Sequence, residues 1–177
     1  MKHKIKIYLA NGLFGVADRM FNDAIYSKLV KAGYEVYAPQ KNLAINNKKA
    51  SAGSIPIYEG DTAKLRWCDV LIAVLDGQDL GVATEIGYLA GYNESHKNQK
   101  VMIGIYTDCR DASKTMSEAK NKDMKKGIAE SQYSYINLYT IGAIKKYGTV
   151  VDSLEKAIKY LKRHAVDIVN SRKGETK

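Results

Sequence analysis

From Leu75 to Tyr88 the chain reads Leu-Asp-Gly-Gln-Asp-Leu-Gly-Val-Ala-Thr-Glu-Ile-Gly-Tyr, so three carboxylates, Asp76, Asp79 and Glu85, alternate with three glycines. The segment directly follows the most apolar run of the chain, Asp69 to Leu75. Glu85 falls in the first turns of the helix expected next, where the positive end of the helix dipole favours an ionised carboxylate. An ionised carboxylate in a crevice is a competent nucleophile toward an electrophilic sugar carbon. The same residues also suit a plainer role, two turn-forming aspartates and a dipole-complementing surface glutamate. Charge spacing alone does not separate the two.

Other chemistries lack their residues. No Gly-x-Gly-x-x-Gly follows the first apolar run, and no Gly-x4-Gly-Lys-Ser/Thr occurs anywhere. This argues against a dinucleotide dehydrogenase and a P-loop NTPase. His3, His96 and His164 stand apart, with no cysteine or carboxylate at ligand spacing, so neither a metal nor another cofactor is expected. Cys68 and Cys109 give no disulfide framework.

The elements that must position Glu85 alternate between strand and helix. Ile5 to Ala10 is a short apolar run ending in the turn signal Asn11-Gly12. Ala17 to Ala32 carries Phe21, Ile25 and Leu29 on one helical stripe, and Gly33 is a natural stop. Tyr34 to Pro39 reads as a second strand and residues 40–57 as a polar loop. Residues 57–68 suit a helix opening near Glu59 or Asp61, which leaves Asp61 open to a role as helix cap. Asp69 to Leu75 has the continuous apolar character of a parallel strand covered on both faces. A helix over 82–93, a strand over 101–106 and an amphipathic helix carrying Leu154, Ala157, Ile158, Leu161, Ala165 and Ile168 complete the pattern. Residues 108–132 are polar and lysine-rich and take no assignment.

Such alternation predicts an α/β fold: a doubly wound, flavodoxin/Rossmann-like parallel five-stranded sheet with helices on both faces. One domain over residues 1–170 is expected, with 171–177 a frayed tail. Ligands in such folds sit beyond the carboxyl ends of the strands, where strand order reverses. The places to inspect are the turn after Ala10, the loop after Pro39 and the loop after Leu75.

Three segments at those places resemble the nucleoside 2-deoxyribosyltransferase family. The first is Ile7-Tyr8-Leu9-Ala10-Asn11-Gly12-Leu13-Phe14 with Asp18-Arg19-Met20-Phe21-Asn22, although Asn11-Gly12 stands where many members have Gly-Pro. The second is Gly60-Asp61 with Cys68 to Gly77, and the third is Asp79-x-Gly81-x3-Glu85-x-Gly87-Tyr88. Asn137-Leu138-Tyr139 with Gly142 is a weaker fourth. The resemblance covers most of residues 4–165.

The resemblance implies that Glu85 attacks the anomeric carbon of a 2′-deoxynucleoside. The base leaves, a covalent deoxyribosyl-enzyme forms, and a second base attacks it, so two inversions give net retention. It casts Asp61 as the carboxyl that protonates the leaving base and takes a proton back from the incoming one, which needs a raised pKa. Tyr8 would orient or tune the nucleophile, though one tyrosine among 13 is a weak clue by type alone. Asp79 would bind sugar hydroxyls, with Gly81 of the same motif among the substrate-binding residues. Gly12, Leu13 and Phe14 would line the base pocket, Phe14 as a stacking surface. Gln40 would contact the base. Asn137 would reach the sugar from a neighbouring subunit, which requires a homo-oligomer, a dimer or a hexamer, with shared active sites. Asp76 is assigned to closing the turn before Gly77.

Charge and composition bear on partners. The 177 residues include 28 basic and 19 acidic side chains, a formal charge of +9. The excess lies mainly after residue 88 and is mostly lysine, whereas nucleic-acid reading favours arginine. A solubilising surface explains it, and nucleic acid is not the expected partner. No run approaches the roughly 20 apolar residues that span a bilayer, and the charged start is unlike a secretory signal. No membrane partner is expected, and a cytoplasmic setting is. Two rivals remain. An N-glycosidase of nucleoside 5′-monophosphates would use water in place of the second base, but the carboxylate of Asp79 would repel its phosphate. A non-catalytic nucleotide- or nucleic-acid-binding module does not explain acidic residues converging on the crevice.

Overall fold

Five short strands pair into one parallel sheet, and the segments between them supply its covering helices. The coordinates are a computed structural model and describe residues 4–42, 53–108, 118, 122 and 136–171. In chain order the elements are β1 (Lys6–Ala10), α1 (Val16–Lys31), β2 (Glu35–Tyr37), a single 3-10 turn (Pro39–Lys41), α2 (Ser54–Trp67), β3 (Val70–Val74), α3 (Leu80–Ser95), β4 (Val101–Ile105), α4 (Leu138–Tyr147), β5 (Gly148–Val151) and α5 (Leu154–Ser171). Strand order is β2-β1-β3-β4-β5, so the direction of winding reverses between β1 and β3. Tyr8 sits in register with Tyr37 on one side and Leu71 on the other.

Strand alternation sends residues to two cores. Ile7 and Leu9 of β1, with Ile72 and Val74 of β3, pack under α1 through Ile25 and Leu29 and under α5 through Leu161 and Ile168. Tyr8, Ala10, Leu71 and Ala73 face the other way, toward Leu65 of α2, Ile86 and Leu89 of α3 and Ile144 of α4. Every residue of β3 is buried, as a central parallel strand requires. α1 closes at Gly33, whose φ of +93° lies where only glycine is unstrained. No helix among the described residues is long and apolar enough to cross a membrane.

The expected architecture holds, with local corrections. α2 begins at Ser54, not near Glu59 or Asp61, so the expected loop over 40–57 is too long at its far end. Pro56 lies in the first turn, where a missing N–H costs nothing because that turn has no helical acceptor for it. Asp61 is therefore mid-helix and is not a cap. The loop is also too long at its near end, where Pro39–Lys41 forms the 3-10 turn and trims β2 to three residues. α3 starts at Leu80, two residues early, because Asp79 caps it. α4 and β5 carried no assignment in the sequence. Ser171, placed in the frayed tail, still belongs to α5. The rest of that tail, the centre of the expected loop (43–52) and most of 108–132 lie outside the described residues.

One buried amide ties α3 to β4. Asn93, 1% exposed, donates from Nδ2 to the Lys100 carbonyl at 2.8 Å and accepts from the Lys100 N–H at 2.6 Å. Replacing it leaves two part-buried backbone groups of Lys100 without these partners. Asn93→Ala is expected to lower unfolding free energy by about 2–4 kcal/mol in urea titrations. A loss below about 0.5 kcal/mol would show that water replaces both bonds.

Candidate active site

The site is built where winding reverses, on the sheet face covered by α2, α3 and α4. Tyr8 points from β1 into that face and is fully buried. Its hydroxyl donates to Glu85 Oε1 on α3 at 2.5 Å. Tyr37, its register partner on β2, lies ring to ring with it at 5.3 Å between centroids. The Tyr37 hydroxyl donates to Asp61 Oδ1 on α2 at 3.0 Å and accepts from Asn42 Nδ2 at 3.1 Å. Two carboxyl groups, from the successive helices α2 and α3, are thus each held by a phenol from adjacent strands.

Their electrostatics follow from burial. Glu85 is pushed up to about 7, first by desolvation and further by the nearby charges of Asp61 and Asp79, while the Tyr8 hydrogen bond pulls the other way. This corrects the expectation that the helix dipole keeps Glu85 ionised. Glu85 lies in the second turn of α3, and the dipole acts mainly within the first. Burial in low dielectric dominates. Asp61 is also raised by burial, against opposing hydrogen bonds from Tyr37 and Tyr8. Burial raises both phenols, Tyr37 to about 12 and Tyr8 higher, so both remain proton donors near neutral pH. Glu85 therefore retains its proton in a range where ordinary carboxylates have lost theirs.

Around this centre the other expected residues take defined places. Asp79 is exposed at the start of α3, and its Oδ1 accepts the Val82 N–H at 3.0 Å. A side chain at Gly81 would come within 2.9 Å of that oxygen, so the glycine makes room for the cap. Asp76 binds the Thr107 N–H at 2.7 Å and the Thr107 hydroxyl at 2.9 Å, which joins the ends of β3 and β4 and gives it a structural place. Asn11 donates to Asn22 at 2.8 Å, and Asn22 donates to the Gly12 carbonyl at 3.0 Å and to Gln40 Oε1 at 2.9 Å. The Gln40 amide nitrogen donates in turn to Asp23 and to the Arg19 carbonyl. Gln40 is thereby tied to α1 and braces the turn after β1. Leu13 is half-buried beside Gly12, and Phe14 is 84% exposed at the rim. Asn137 caps α4, accepting from Tyr139 N and Thr140 N. It shares with Asp79 of the same chain a cavity of about 220 Å³, lined also by Leu75, Leu80, Ile136 and Thr140. Among the described residues no group of three or more His, Cys, Asp or Glu is placed to hold a metal ion.

Comparisons with known proteins bear on the family and the fold. The family model described as nucleoside 2-deoxyribosyltransferase matches residues 7–161. The chain belongs to that family. Enzymes of the family act on N-glycosidic bonds. A crystal structure of a conserved protein from Enterococcus faecalis V583 is 34% identical, with a TM-score of 0.77 over 92% of this chain and 99% of that one. A 2-deoxyribosyltransferase from Bacillus psychrosaccharolyticus shares the fold at 16% identity, with a TM-score of 0.58 over 86% and 89% of the two chains. A CMP N-glycosidase of Clostridium botulinum is matched at 12% identity and a TM-score of 0.49, over 90% and 98%. No curated protein matches.

Within this family member, Tyr37 and Asn42 stand at the site without having been singled out by the sequence. A signal existed: Val36-Tyr37-Ala38 repeats the apolar-tyrosine-apolar pattern of Ile7-Tyr8-Leu9 at the neighbouring strand end. Asn22 is a second omission, buried on a helical face that otherwise reads as apolar.

The raised pKa of Glu85 has a stability consequence of definite sign. Below 4.5 the residue is protonated whether folded or unfolded and contributes no difference. As pH rises from 4.5 through about 7, the unfolded state ionises first and native stability falls. Glu85→Gln keeps an oxygen for Tyr8 and removes the titration. It is expected to raise Tm by about 5 °C at pH 8 and by almost nothing at pH 4.5. A pH-independent difference in calorimetry would contradict the burial of Glu85.

Proposed function

We propose that the protein is a nucleoside 2-deoxyribosyltransferase that moves 2-deoxyribose between purine or pyrimidine bases through a covalent deoxyribosyl-Glu85 intermediate. One observation carries the reading: Tyr8 holds Glu85 at 2.5 Å at the switch point of the sheet, where a second carboxyl, Asp61, has its pKa raised by burial. Tyr8 occupies Glu85 Oε1 and leaves Oε2 for the sugar. Attack of Oε2 on C1′ breaks the C1′–N bond, and the base departs with a proton from Asp61. A second base then attacks C1′, Glu85 leaves as carboxylate, and Asp61 takes the proton lost by the incoming nitrogen. The ester returns to its starting state in two inversions. The transition state is oxocarbenium-like, so an ionised Glu85 stabilises it electrostatically as well. Asp79, at the rim, binds the sugar hydroxyls and holds C1′ in reach.

Charge favours a neutral substrate. Asp61 and Asp79 both lie close enough for their charges to raise the pKa of Glu85. A 5′-phosphate brought to this mouth would meet carboxylates, which works against the monophosphate hydrolase and against a polyanion-binding module. A cytoplasmic setting suits the buried free thiol of Cys68.

Incubation with thymidine and adenine is expected to yield deoxyadenosine and thymine. Free base alone, released only from deoxynucleotides, would make the protein a hydrolase instead. Salt-sensitive nucleic-acid binding without turnover would make it a binding module. Glu85→Ala is expected to lose at least about 1,000-fold in rate with its fold intact.

We also infer a homo-oligomer, dimeric or hexameric, whose subunits share sites through Asn137. Phe14, Leu80, Leu138 and Tyr139 are each at least 79% exposed at the ends of elements that surround the mouth. Such apolar side chains fit an interface between copies. Mixing Asn137→Ala chains with Glu85→Ala chains is expected to restore part of the activity. No rescue after verified subunit exchange would confine each site to one chain.

A further inference from the structure

Asp61 can serve as an acid only if its proton sits on the oxygen that faces the base, and the contacts around Tyr37 bear on which oxygen that is. Asn42 offers Tyr37 an amide N–H, at 3.1 Å, so the phenol oxygen is the acceptor there. The single phenol proton is then directed to Asp61 Oδ1, at 3.0 Å. When the carboxyl group is neutral its carbonyl oxygen is the stronger acceptor, so this bond favours Oδ1 as the carbonyl oxygen and the acid proton on Oδ2. The Tyr37 ring is fixed by its register with Tyr8, by ring contact with Tyr8, and by the Lys64 ammonium 5.3 Å over its face.

We propose that Tyr37, oriented by Asn42, is a positioning residue that holds Oδ1 of Asp61 as an acceptor and so assigns the transferable proton to Oδ2. The proposal rests on the reading of Asp61 as the acid for the base. The charged and titratable groups facing it are Tyr8 on β1, Tyr37 on β2 and Glu85 on α3, with Lys64 on α2 itself. Asn42 supplies no charge. It supplies the direction of the chain of hydrogen bonds, from amide to phenol to carboxyl. Without that direction the proton would be shared between Oδ1 and Oδ2, and half of the acid molecules would present an acceptor to the base.

Two measurements test this. The first is a carboxyl ¹³C NMR titration of Asp61, assigned with Asp61→Asn. Tyr37→Phe keeps the ring and removes a donor that favours the ionised carboxyl, so the Asp61 midpoint is expected to rise by about one unit. Asn42→Ala is expected to move it in the same direction by less. An unmoved midpoint in Tyr37→Phe, or a fall in Asn42→Ala, would overturn the proposal. The second is a comparison of leaving groups. With a nucleobase, which needs a proton to depart, Tyr37→Phe is expected to lose at least about tenfold in kcat. With a 2-deoxyriboside of nitrophenolate, which needs none, the loss should stay within about threefold. Equal losses on both substrates would mean that Tyr37 acts on the fold and not on the proton. A wild-type protein inactive on every deoxynucleoside would refute the transferase reading, while the NMR titration would still decide the link from Tyr37 to Asp61.

Discussion

Two half-buried carboxyl groups share one site, and among the described residues no salt bridge neutralises either. That constraint governs the site. The influences on the two are burial and phenol hydrogen bonds, and on Glu85 also the charges of Asp61 and Asp79. A lysine or arginine in place of either phenol would stabilise both carboxylates as anions. The pair would then have no proton to give, and the nucleophile would be less reactive. Tyrosine solves a narrower problem: it satisfies a buried carboxyl oxygen without supplying charge. Its own pKa, raised further by the same burial, keeps it a donor near neutral pH.

The fold serves this constraint from several directions. Parallel strands bring Tyr8 and Tyr37 into register, so two phenols leave the sheet side by side. The reversal of winding between β1 and β3 opens the space in which α2 and α3 present Asp61 and Glu85. The turn beside them is braced by the Asn11–Asn22–Gln40 amides, and the opposite lip by Asp76 on Thr107. Among the described residues no buried side-chain nitrogen or oxygen lacks a partner. That level of satisfaction keeps an otherwise costly polar centre in one arrangement.

The sheet was legible because its strands are short, continuous apolar runs with turn signals at their ends, Asn11-Gly12 after β1 and Asp76-Gly77 after β3. β5 offered neither feature. It is four residues long, all half-buried, and follows α4 with no loop between Tyr147 and Gly148. Gly148 is needed there for a reason invisible in sequence: a Cβ would lie 1.9 Å from the Met102 carbonyl of β4. The positions of Glu85, Asp61 and Asp79 were readable as a pattern. Their environment was not, because burial depends on how α2 and α3 close over β1. That is why Asp61 could be taken for a cap and Glu85 for an ionised helix-start residue. Tyr37 went unremarked for the same reason, since its partners Asp61 and Asn42 come together only through the pairing of β1 with β2.

The net charge of +9 looks at first like a competing influence on this acidic centre, but range decides against it. Lys28, Lys41, Lys146 and Lys156 are engaged with Glu155, Asp23, Glu94 and Asp152 at the surface. Exposed charges such as these are screened over about 8 Å at physiological ionic strength. Asp61 acts on Glu85 through a partly buried site of lower dielectric, where screening is weaker. The chain can therefore be basic as a whole and acidic where it is concave. Changing the surface lysines would alter solubility and encounter with anions. It would leave the proton of the carboxyl pair under the control of Tyr8, Tyr37 and burial.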